Sequence, residues 1–182
     1  ITLDGPVEGL QIAPSDKKMA GAEVELVNRK SRDLILRNAL DELDHHYDYI
    51  IIDCPPSLGI LTINALSCAD SVIVPLQCEY YALEGISALL ETIDLVRSSL
   101  NPGLSLEGVL LTMHDIRTNL SDQVAQEVRG FFRDQVFDVI IPRNVRLSEA
   151  PSYGLPIIQY DPGCKGASAY RVLAEEITSS EA

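Results

Sequence analysis

The chain has 182 residues, 46% hydrophobic and 23% charged, which is the composition of an ordinary globular domain with a sizeable buried core. No window reaches the ~18 consecutive apolar residues of a membrane span, and the chain does not start with the basic residues and apolar stretch of a secretory leader. The net charge of −13 argues against DNA binding over the whole surface, because affinity for phosphate comes from lysine and arginine. The four scattered cysteines lack metal-ligand spacing, so we expect reduced thiols in a cytoplasmic protein.

The first third of the chain predicts a strand, a long helix and a buried strand. Residues 9–13 are expected to form a short strand, and residues 20–43 a helix with leucines and an isoleucine near one face. Residues 49–52 are an unbroken apolar run, typical of a strand covered on both faces. This run ends at Asp53, and the two prolines and the glycine that follow predict a turn.

Strands and helices alternate through the rest of the chain. Apolar runs predict buried strands at 72–74, 109–111 and 139–141. Apolar residues at helical spacing predict helices at 83–96, 121–132 and 167–177. Pro75 and Pro142 are expected to stop two of the strands, and residues 157–158 to form a short edge strand. This order predicts one α/β domain over residues 1–182, with a mainly parallel sheet and helices on both faces.

Each predicted strand delivers polar groups to the edge where ligands bind in open parallel sheets, beyond the carboxyl ends of the strands. Asp53 follows the first of these strands, residues 77–79 the second, residues 114–115 the third and residues 143–144 the fourth. At such an edge Asp53 is suited to accept hydrogen bonds from waters around Mg²⁺, although it is equally suited to cap the next turn or helix. The pattern predicts a binding edge without naming its ligand.

Four longer runs resemble the ParA/Soj family of Walker-type ATPases: YDYIIIDCPPSLGILTINAL, VPLQCEYYALEGISALLETIDLV, GVLLTMHDIRTNLS and IPRNVRLSEAPSYGLPIIQYDP. They occur in the family's order and cover nearly the whole chain. The resemblance implies a P-loop NTPase-like fold and a cytoplasmic, nucleoid-associated protein that segregates bacterial chromosomes or plasmids. It further implies binding of ATP with Mg²⁺, dimerisation around the nucleotide, nonspecific DNA binding by the dimer, and hydrolysis stimulated by a ParB-type partner.

The resemblance also implies roles for single residues. Asp53 matches the acidic residue that supports Mg²⁺ through water and serves catalysis. The switch loop that senses the γ-phosphate would contain Pro55, Pro56 and Gly59. The residues on the adenine side would be Met113, Pro142 and Asn144, although Pro142 is equally well explained as a strand stop. The candidate DNA contacts are Arg129, Arg133, Arg143, Arg146 and Lys165, each of which alone also fits a solvated surface.

An uneven charge distribution is compatible with such a localised DNA contact. Residues 129–171 carry six basic and four acidic side chains, a balance of +2, whereas the rest carries 8 basic and 23 acidic ones, a balance of −15. One departure from the family's sequence weakens the expected DNA contact. Where the family often has two arginines after Asp-Pro, this chain has Gly163, Cys164 and Lys165.

The second departure from the family concerns the phosphate-binding loop. No G-x-x-x-x-G-K-S/T motif occurs in the 182 residues, and the first residue is Ile1, so we expect the downstream part of a ParA-type ATPase domain with essentially no ATP hydrolysis of its own. By analogy with the family, the central strand that carries this loop lies between the strands ending at Asp53 and Pro75. Without it, two inner sheet edges would be exposed and residues 1–182 would be marginally stable or prone to aggregation.

Two other functions fit the same fold. One is a membrane-associated spatial regulator resembling MinD, which usually ends in a basic amphipathic helix. This chain ends in the segment 170–182, which is acidic and not strongly apolar on one side, so we expect no membrane binding. The other is a scaffold that has lost catalysis, which a Gly-rich lysine loop upstream of Ile1 would exclude.

Overall fold

The structure is a computed structural model that describes residues 2–16, 18–44, 46–80 and 84–179. Within these ranges the strands are β1 (Leu3–Asp4), β2 (Gln11–Ile12), β3 (Ser71–Gln77) and β4 (Ser105–Thr112). The helices are α1 (Met19–Leu26), α2 (Ile35–Asp41), α3 (Ile60–Cys68), α4 (Glu84–Ser99), α5 (Asn119–Phe132), α6 (Val145–Glu149), α7 (Ile157–Tyr160) and α8 (Lys165–Ser179). Short 3₁₀ turns occur at Arg32–Leu34, Arg133–Gln135 and Ala150–Tyr153.

The described residues cluster into two compact units. The first contains those within Ile1–Leu3, Gln11–Val72 and Ile86–Ser105, and the second those within Asp4–Leu10, Ile73–Gly85 and Leu106–Ala182. The core of the first unit contains Leu66, Ile93, Val96 and Leu104. The core of the second contains Leu110, Ile141 and Leu173. No helix in the described part of the chain is both long enough and apolar enough to cross a membrane.

Strands β3 and β4 pair in parallel and are joined by α4. At one end the Ser105 amide donates to the Asp70 carbonyl oxygen at 3.0 Å, and at the other the Cys78 amide donates to Thr112 at 2.9 Å. Parallel neighbours need a crossover connection, which α4 supplies. The strands predicted at 72–74 and 109–111 are therefore confirmed. So are the helices predicted at 83–96, 121–132 and 167–177, although Leu83 lies outside the described residues.

Pro75 does not stop its strand, which continues through it to Gln77. Backbone N–H groups alternate between the two edges of a strand, and the Cys78 N–H points to β4. The nitrogen of Pro75, three residues earlier, therefore faces the opposite edge, where no strand of the described ranges pairs with β3. Proline is tolerated at such an edge because no ladder hydrogen bond is lost.

The segment predicted as a strand at 139–141 runs parallel to β4 without forming a continuous ladder. The Phe137 amide donates to Val109 at 3.1 Å, and the Ile141 amide donates to Leu111 at 2.9 Å. Between them, both oxygens of Glu176 on α8 accept from the amides of residues 138 and 139, at 3.1 and 2.9 Å. A side-chain carboxylate therefore satisfies the backbone where ladder bonds are interrupted.

Two predicted elements differ from those in the structure, because local backbone geometry takes precedence over the apolar pattern. The helix predicted over 20–43 is divided, since Ser31 has φ 53°, a left-handed conformation that a right-handed helix cannot continue. The edge strand predicted at 157–158 is wrong. These residues begin α7, in which the Tyr160 amide donates to the Pro156 carbonyl oxygen at 2.9 Å. The strand predicted at 9–13 is confirmed only as the two residues of β2.

The strand predicted at 49–52 is also wrong. These residues form no regular secondary structure, and Tyr49, Ile50 and Ile51 are 47%, 51% and 92% exposed. An extended segment becomes a strand only when a neighbour pairs with its backbone, and no described strand does so here. The expectation that the inner edges of the sheet are left uncovered without a central strand stays a prediction.

Candidate functional site

Two strand ends meet in the second unit. The His114 amide donates to the Ile141 carbonyl oxygen at 3.2 Å, and the Arg143 amide donates back to the His114 carbonyl oxygen at 2.8 Å. His114 and Pro142 thereby form a parallel bridge. The polar residues that follow β4 and those that follow the 139–141 segment therefore lie side by side at the carboxyl edge of the sheet.

Met113, at the end of β4, has an unusual backbone conformation. Its φ is 56°, in the left-handed region that residues with a side chain rarely adopt. This conformation costs about 1–3 kcal/mol and persists only when surrounding structure holds it, which is common at functional sites. Here the hydrogen bonds of His114, the next residue, provide that restraint.

Asn144 begins helix α6 as its N-cap. Its Oδ1 accepts from the Arg146 amide at 2.9 Å. Within the ranges that the structure describes, no hydrogen bond of its Nδ2 group is found. The cap thus uses the oxygen of the amide and not its NH₂ donors.

A cleft of about 760 Å³ opens at the same edge, within the second unit. Its lining consists of the last residue of β3 and the three that follow it (77–80), residues of the loop before α5 and of its first turn, and Arg143. This volume suits a small molecule or part of a nucleotide. Arg117, Thr118 and Ser121 belong to this lining, although sequence reasoning assigned them no role. Their position directly after the strand-end run TMHD is the signal that could have found them.

Two arginine–carboxylate pairs balance the charge of the cleft. Both carboxylate oxygens of Asp115 accept from the Arg117 guanidinium, at 2.8 and 2.7 Å. These hydrogen bonds hold the pKa of Asp115 well below its usual range, with a smaller contribution from the charge of Arg143. Arg143 itself pairs with Glu79 at 2.5 Å. Both carboxylates are therefore compensated, so the cleft does not present a strongly anionic surface to a ligand.

Cys78 forms an inert, buried wall of this cleft. It is 1% exposed, and burial raises the pKa of its thiol, with a further contribution from the charge of Asp122. The Ser121 hydroxyl donates to the Cys78 carbonyl oxygen at 3.3 Å. A thiol with a raised pKa stays protonated, so Cys78 is not a nucleophile. All four cysteines of the chain are free thiols in the structure.

The predicted residues of the first unit lie in and after an exposed loop. Asp53, Pro55 and Pro56 are exposed and belong to no helix or strand, and Gly59 is the N-cap residue of α3. The loop is tied to α3 because the Thr62 hydroxyl donates to the Ser57 carbonyl oxygen at 2.6 Å. Asp53 belongs to a different unit from Met113, Pro142 and Asn144, so their sharing of one site stays a prediction.

An exposed carboxylate such as Asp53 fits the metal that the sequence predicts. Mg²⁺ usually keeps several waters and takes one or two protein carboxylates together with substrate phosphates. Among the described residues there is no group of three side chains able to hold a metal ion without a ligand. A single carboxylate acting through water is the arrangement that these residues can offer.

Of the five candidate DNA contacts, three have side chains that are bound to protein groups and two have exposed side chains without such partners in the described ranges. Arg129 donates to the carbonyl oxygens of Phe137 and Asp138, both at 3.1 Å, and Arg143 pairs with Glu79. Arg146 is held by two carboxylates. The side chains of Arg133 and Lys165 are exposed and make no hydrogen bond or ion pair within the part of the chain that the structure describes.

Arg146 lies at the centre of a network on α6 and α7. Its Nη1 donates to Glu149 at 2.8 Å, and its Nε lies 3.3 Å from an oxygen of Asp161. The Tyr160 hydroxyl donates to the same oxygen of Glu149 at 3.1 Å, and the Tyr160 ring stacks on Tyr153 with centroids 4.9 Å apart. Hydrogen bonds from Arg146 and then Tyr160 lower the pKa of Glu149, so the network keeps this carboxylate charged.

Sequence comparison reveals close relatives. The model of a family described as an AAA domain matches residues 1–106. The chain is 61% identical over 168 residues to the chromosome partitioning protein ParA of Myxococcus xanthus, covering 92% of this chain and 59% of that protein. It is 59% identical over 174 residues to the sporulation initiation inhibitor protein Soj of Bacillus subtilis, covering 96% of this chain and 69% of the relative.

Solved structures also resemble the chain. A cobyrinic acid a,c-diamide synthase from Mycobacterium smegmatis, with bound ATP analogue and magnesium, matches with a TM-score of 0.78 and 39% identity, covering 96% of this chain and 64% of that one. A plasmid partition protein of Borrelia burgdorferi bound to AMPPNP matches with a TM-score of 0.81, covering 100% of this chain and 68% of that one, and at 21% identity it supports the fold alone. The predicted α/β fold with a mainly parallel sheet, of the P-loop NTPase type, is confirmed.

Proposed function

This chain belongs to the ParA/Soj family of partition ATPases, and we propose from that membership that it is part of an ATP-dependent protein that segregates bacterial chromosomes or plasmids. In this proposal the natural protein binds ATP with Mg²⁺, dimerises around the nucleotide and binds DNA without sequence preference. A ParB-type partner stimulates hydrolysis, and the protein acts in the cytoplasm on the nucleoid. The chain spans 59% of the M. xanthus relative, so these activities are proposed for the natural protein that contains these residues.

The observation that carries the proposal is the meeting of two strand ends through His114, Ile141 and Arg143. It brings the backbones of His114 and Pro142 together, with Met113 next to His114 in the chain, at the edge where ligands bind in parallel sheets. A flat base requires apolar surfaces and a few well-placed polar groups. We assign the apolar contacts to Met113 and Pro142, and the polar contact to Asn144.

Asn144 is suited to this role because its two functional atoms have separate uses. The oxygen caps α6, while the NH₂ group remains a donor. The ring nitrogens of adenine are acceptors, so a hydrogen bond from Nδ2 would recognise the base without disturbing the helix. The rigid cap would hold the donor in place before the nucleotide arrives.

Asp53 and the loop after it are assigned to the phosphate side. The Asp53 carboxylate would hold waters of a bound Mg²⁺, whose charge would offset the negative charge of the phosphates. Pro55, Pro56 and Gly59 would form the loop that responds to the γ-phosphate. The 182 residues contain no P-loop lysine, so we expect them to hydrolyse essentially no ATP alone.

For DNA, the exposed cations Arg133 and Lys165 are the strongest candidates among the five. Neither has a carboxylate partner in the described ranges, so each can contact a phosphate without first breaking an ion pair. Arg129, Arg143 and Arg146 would have to release existing partners.

The nucleotide assignment is tested by replacing Asn144 with aspartate in the natural protein. Aspartate keeps an oxygen to cap α6 but loses the NH₂ donor and adds a negative charge. We expect binding of a fluorescent ATP analogue to weaken about tenfold or more, while the thermal midpoint changes little. Asn144→Ala should weaken binding as well and also destabilise the protein by about 1 kcal/mol, because the cap is lost.

Asn38→Asp is the matched control, since Asn38 is exposed on α2 and the substitution adds the same charge. It should leave nucleotide binding unchanged. If Asn144→Asp bound the analogue as tightly as Asn38→Asp does, the adenine assignment would be wrong.

A further inference from the structure

The strongest unexplained feature of the second unit is the placement of two carboxylates on a predicted DNA contact. Glu149 and Asp161 both contact the Arg146 guanidinium, at 2.8 and 3.3 Å. All three side chains are accessible, with exposed fractions of 53% for Arg146, 39% for Glu149 and 36% for Asp161. A phosphate that approaches this surface therefore meets one positive and two negative charges, a local balance of −1.

We infer that Glu149 and Asp161 are affinity-setting residues, which weaken DNA binding at Arg146 and so keep the protein's contact with DNA weak and reversible. This inference rests on the proposed DNA-binding function. It adds a role for two residues that the assignment of arginines alone leaves out.

The geometry decides between attenuation and positioning. A positioning role would require the carboxylates to aim the arginine while leaving its charge dominant, but their combined charge exceeds that of the guanidinium. The Arg146 side chain is 53% exposed, so part of its guanidinium remains accessible from solvent. Arg146 therefore keeps the chemistry of a phosphate contact, and the surrounding charge opposes its use.

Tyr160 makes the arrangement persistent. Its hydroxyl donates to the Glu149 oxygen that Arg146 also contacts, and its ring stacks on Tyr153. Two donors on one oxygen hold the carboxylate in its charged form and in one position. The repulsion that a phosphate meets is consequently a built feature of α6 and α7.

The test uses the natural protein in its nucleotide-bound form with a short random-sequence DNA duplex. In the variant Glu149→Gln with Asp161→Asn, both charges are removed with little change of shape. From Coulomb's law for unit charges roughly 7 Å apart in salt solution, we expect about three- to tenfold tighter binding. The salt dependence should steepen, because each further phosphate that the protein neutralises adds ~0.9 to the slope of log K against log salt.

Two controls separate this local effect from net charge. Glu91→Gln with Glu175→Gln changes the net charge equally at exposed helical positions, and it should tighten binding much less. Adding Arg146→Gln to the double variant should cancel its increase in affinity. If the double variant unfolds, Asp161→Asn alone keeps the Glu149 contact and should still tighten binding.

The outcomes distinguish this inference from the proposed function. Unchanged or weaker binding by the carboxylate variants, together with weaker binding by Arg146→Gln, would overturn the inference and leave DNA binding intact. Equal tightening by both double variants would also overturn it, since net charge would then explain the increase. Absence of duplex binding by the wild-type protein would instead overturn the proposed function.

Discussion

Two apolar runs with the same sequence character have opposite fates in this molecule. The run at 49–52 is exposed, with Ile51 at 92%, whereas the run at 109–111 is buried, with Leu111 at 0%. The second run has backbone partners on both sides, through β3 and the 136–142 segment, and the first has none among the described strands. An apolar run therefore specifies the capacity to be a buried strand, and pairing decides whether that capacity is realised.

Replacing one side chain in each run with alanine gives the largest expected contrast in stability. Leu111→Ala should destabilise the 182-residue chain by about 2–5 kcal/mol, enough to unfold a marginally stable chain, because it empties a fully buried site. Ile51→Ala should change it by roughly 0.5 kcal/mol or less, because the side chain is already in solvent. Urea denaturation followed by circular dichroism measures both. Equal losses for the two variants would mean that 49–52 is packed in solution.

Replacement of Glu176 tests whether its carboxylate accepts hydrogen bonds from the backbone amides of the segment beside the run at 109–111. Glutamate accepts from two amides, at residues 138 and 139, whereas glutamine has only one acceptor oxygen. Glu176→Gln should destabilise the chain by about 1–2 kcal/mol and speed hydrogen exchange at residues 138 and 139. Glu175→Gln on the solvent side of the same helix is the control. Unaltered hydrogen exchange in the Glu176 variant would show that these two hydrogen bonds to Glu176 are not formed.

The smallest effect concerns Asp115, beyond the end of the paired run. Its pKa lies below the ordinary value of 3.8 because Arg117 hydrogen-bonds to it. A lowered pKa in the folded state stabilises the fold above the unfolded-state pKa, and this stabilisation is lost as the pH falls through the folded-state pKa. Arg117→Gln should therefore raise the pKa of Asp115 towards 3.8, as measured by carboxyl NMR. The stabilities of wild type and variant should converge in strong acid; a constant difference at every pH would contradict this assignment.

The elements that could be predicted are those whose structure follows from the apolar pattern within one segment. The helices α4, α5 and α8 and the strands β3 and β4 follow from apolar spacing, and the meeting of the ends of β4 and the 139–141 segment follows from the rule for parallel sheets. Sequence reasoning failed where the outcome depended on distant partners. Neither the contact of Glu176 with the 139–141 segment nor the Arg146–Asp161 ion pair could be read from a pattern, because each joins residues from separate elements.

The candidate site likewise has features that could be predicted from the sequence and features that could not. Pro142 and Asn144 were predicted through resemblance, and the structure adds that Asn144 is a helix cap and that Met113 has a left-handed backbone. The left-handed backbone was not predictable, since methionine rarely adopts it. Joint participation of Asp53 with these residues remains a prediction.

The central claim is that adenine nucleotide binds beside Met113 and Asn144, and methyl NMR of methionine tests it most directly. This chain has two methionines, Met113 at the strand end and Met19 on α1. Adding ATP with Mg²⁺ to the natural protein, labelled at methionine methyl groups, should shift the Met113 signal, assigned through Met113→Leu, and leave that of Met19 in place. An unmoved Met113 signal at nucleotide concentrations that saturate the protein would contradict the account.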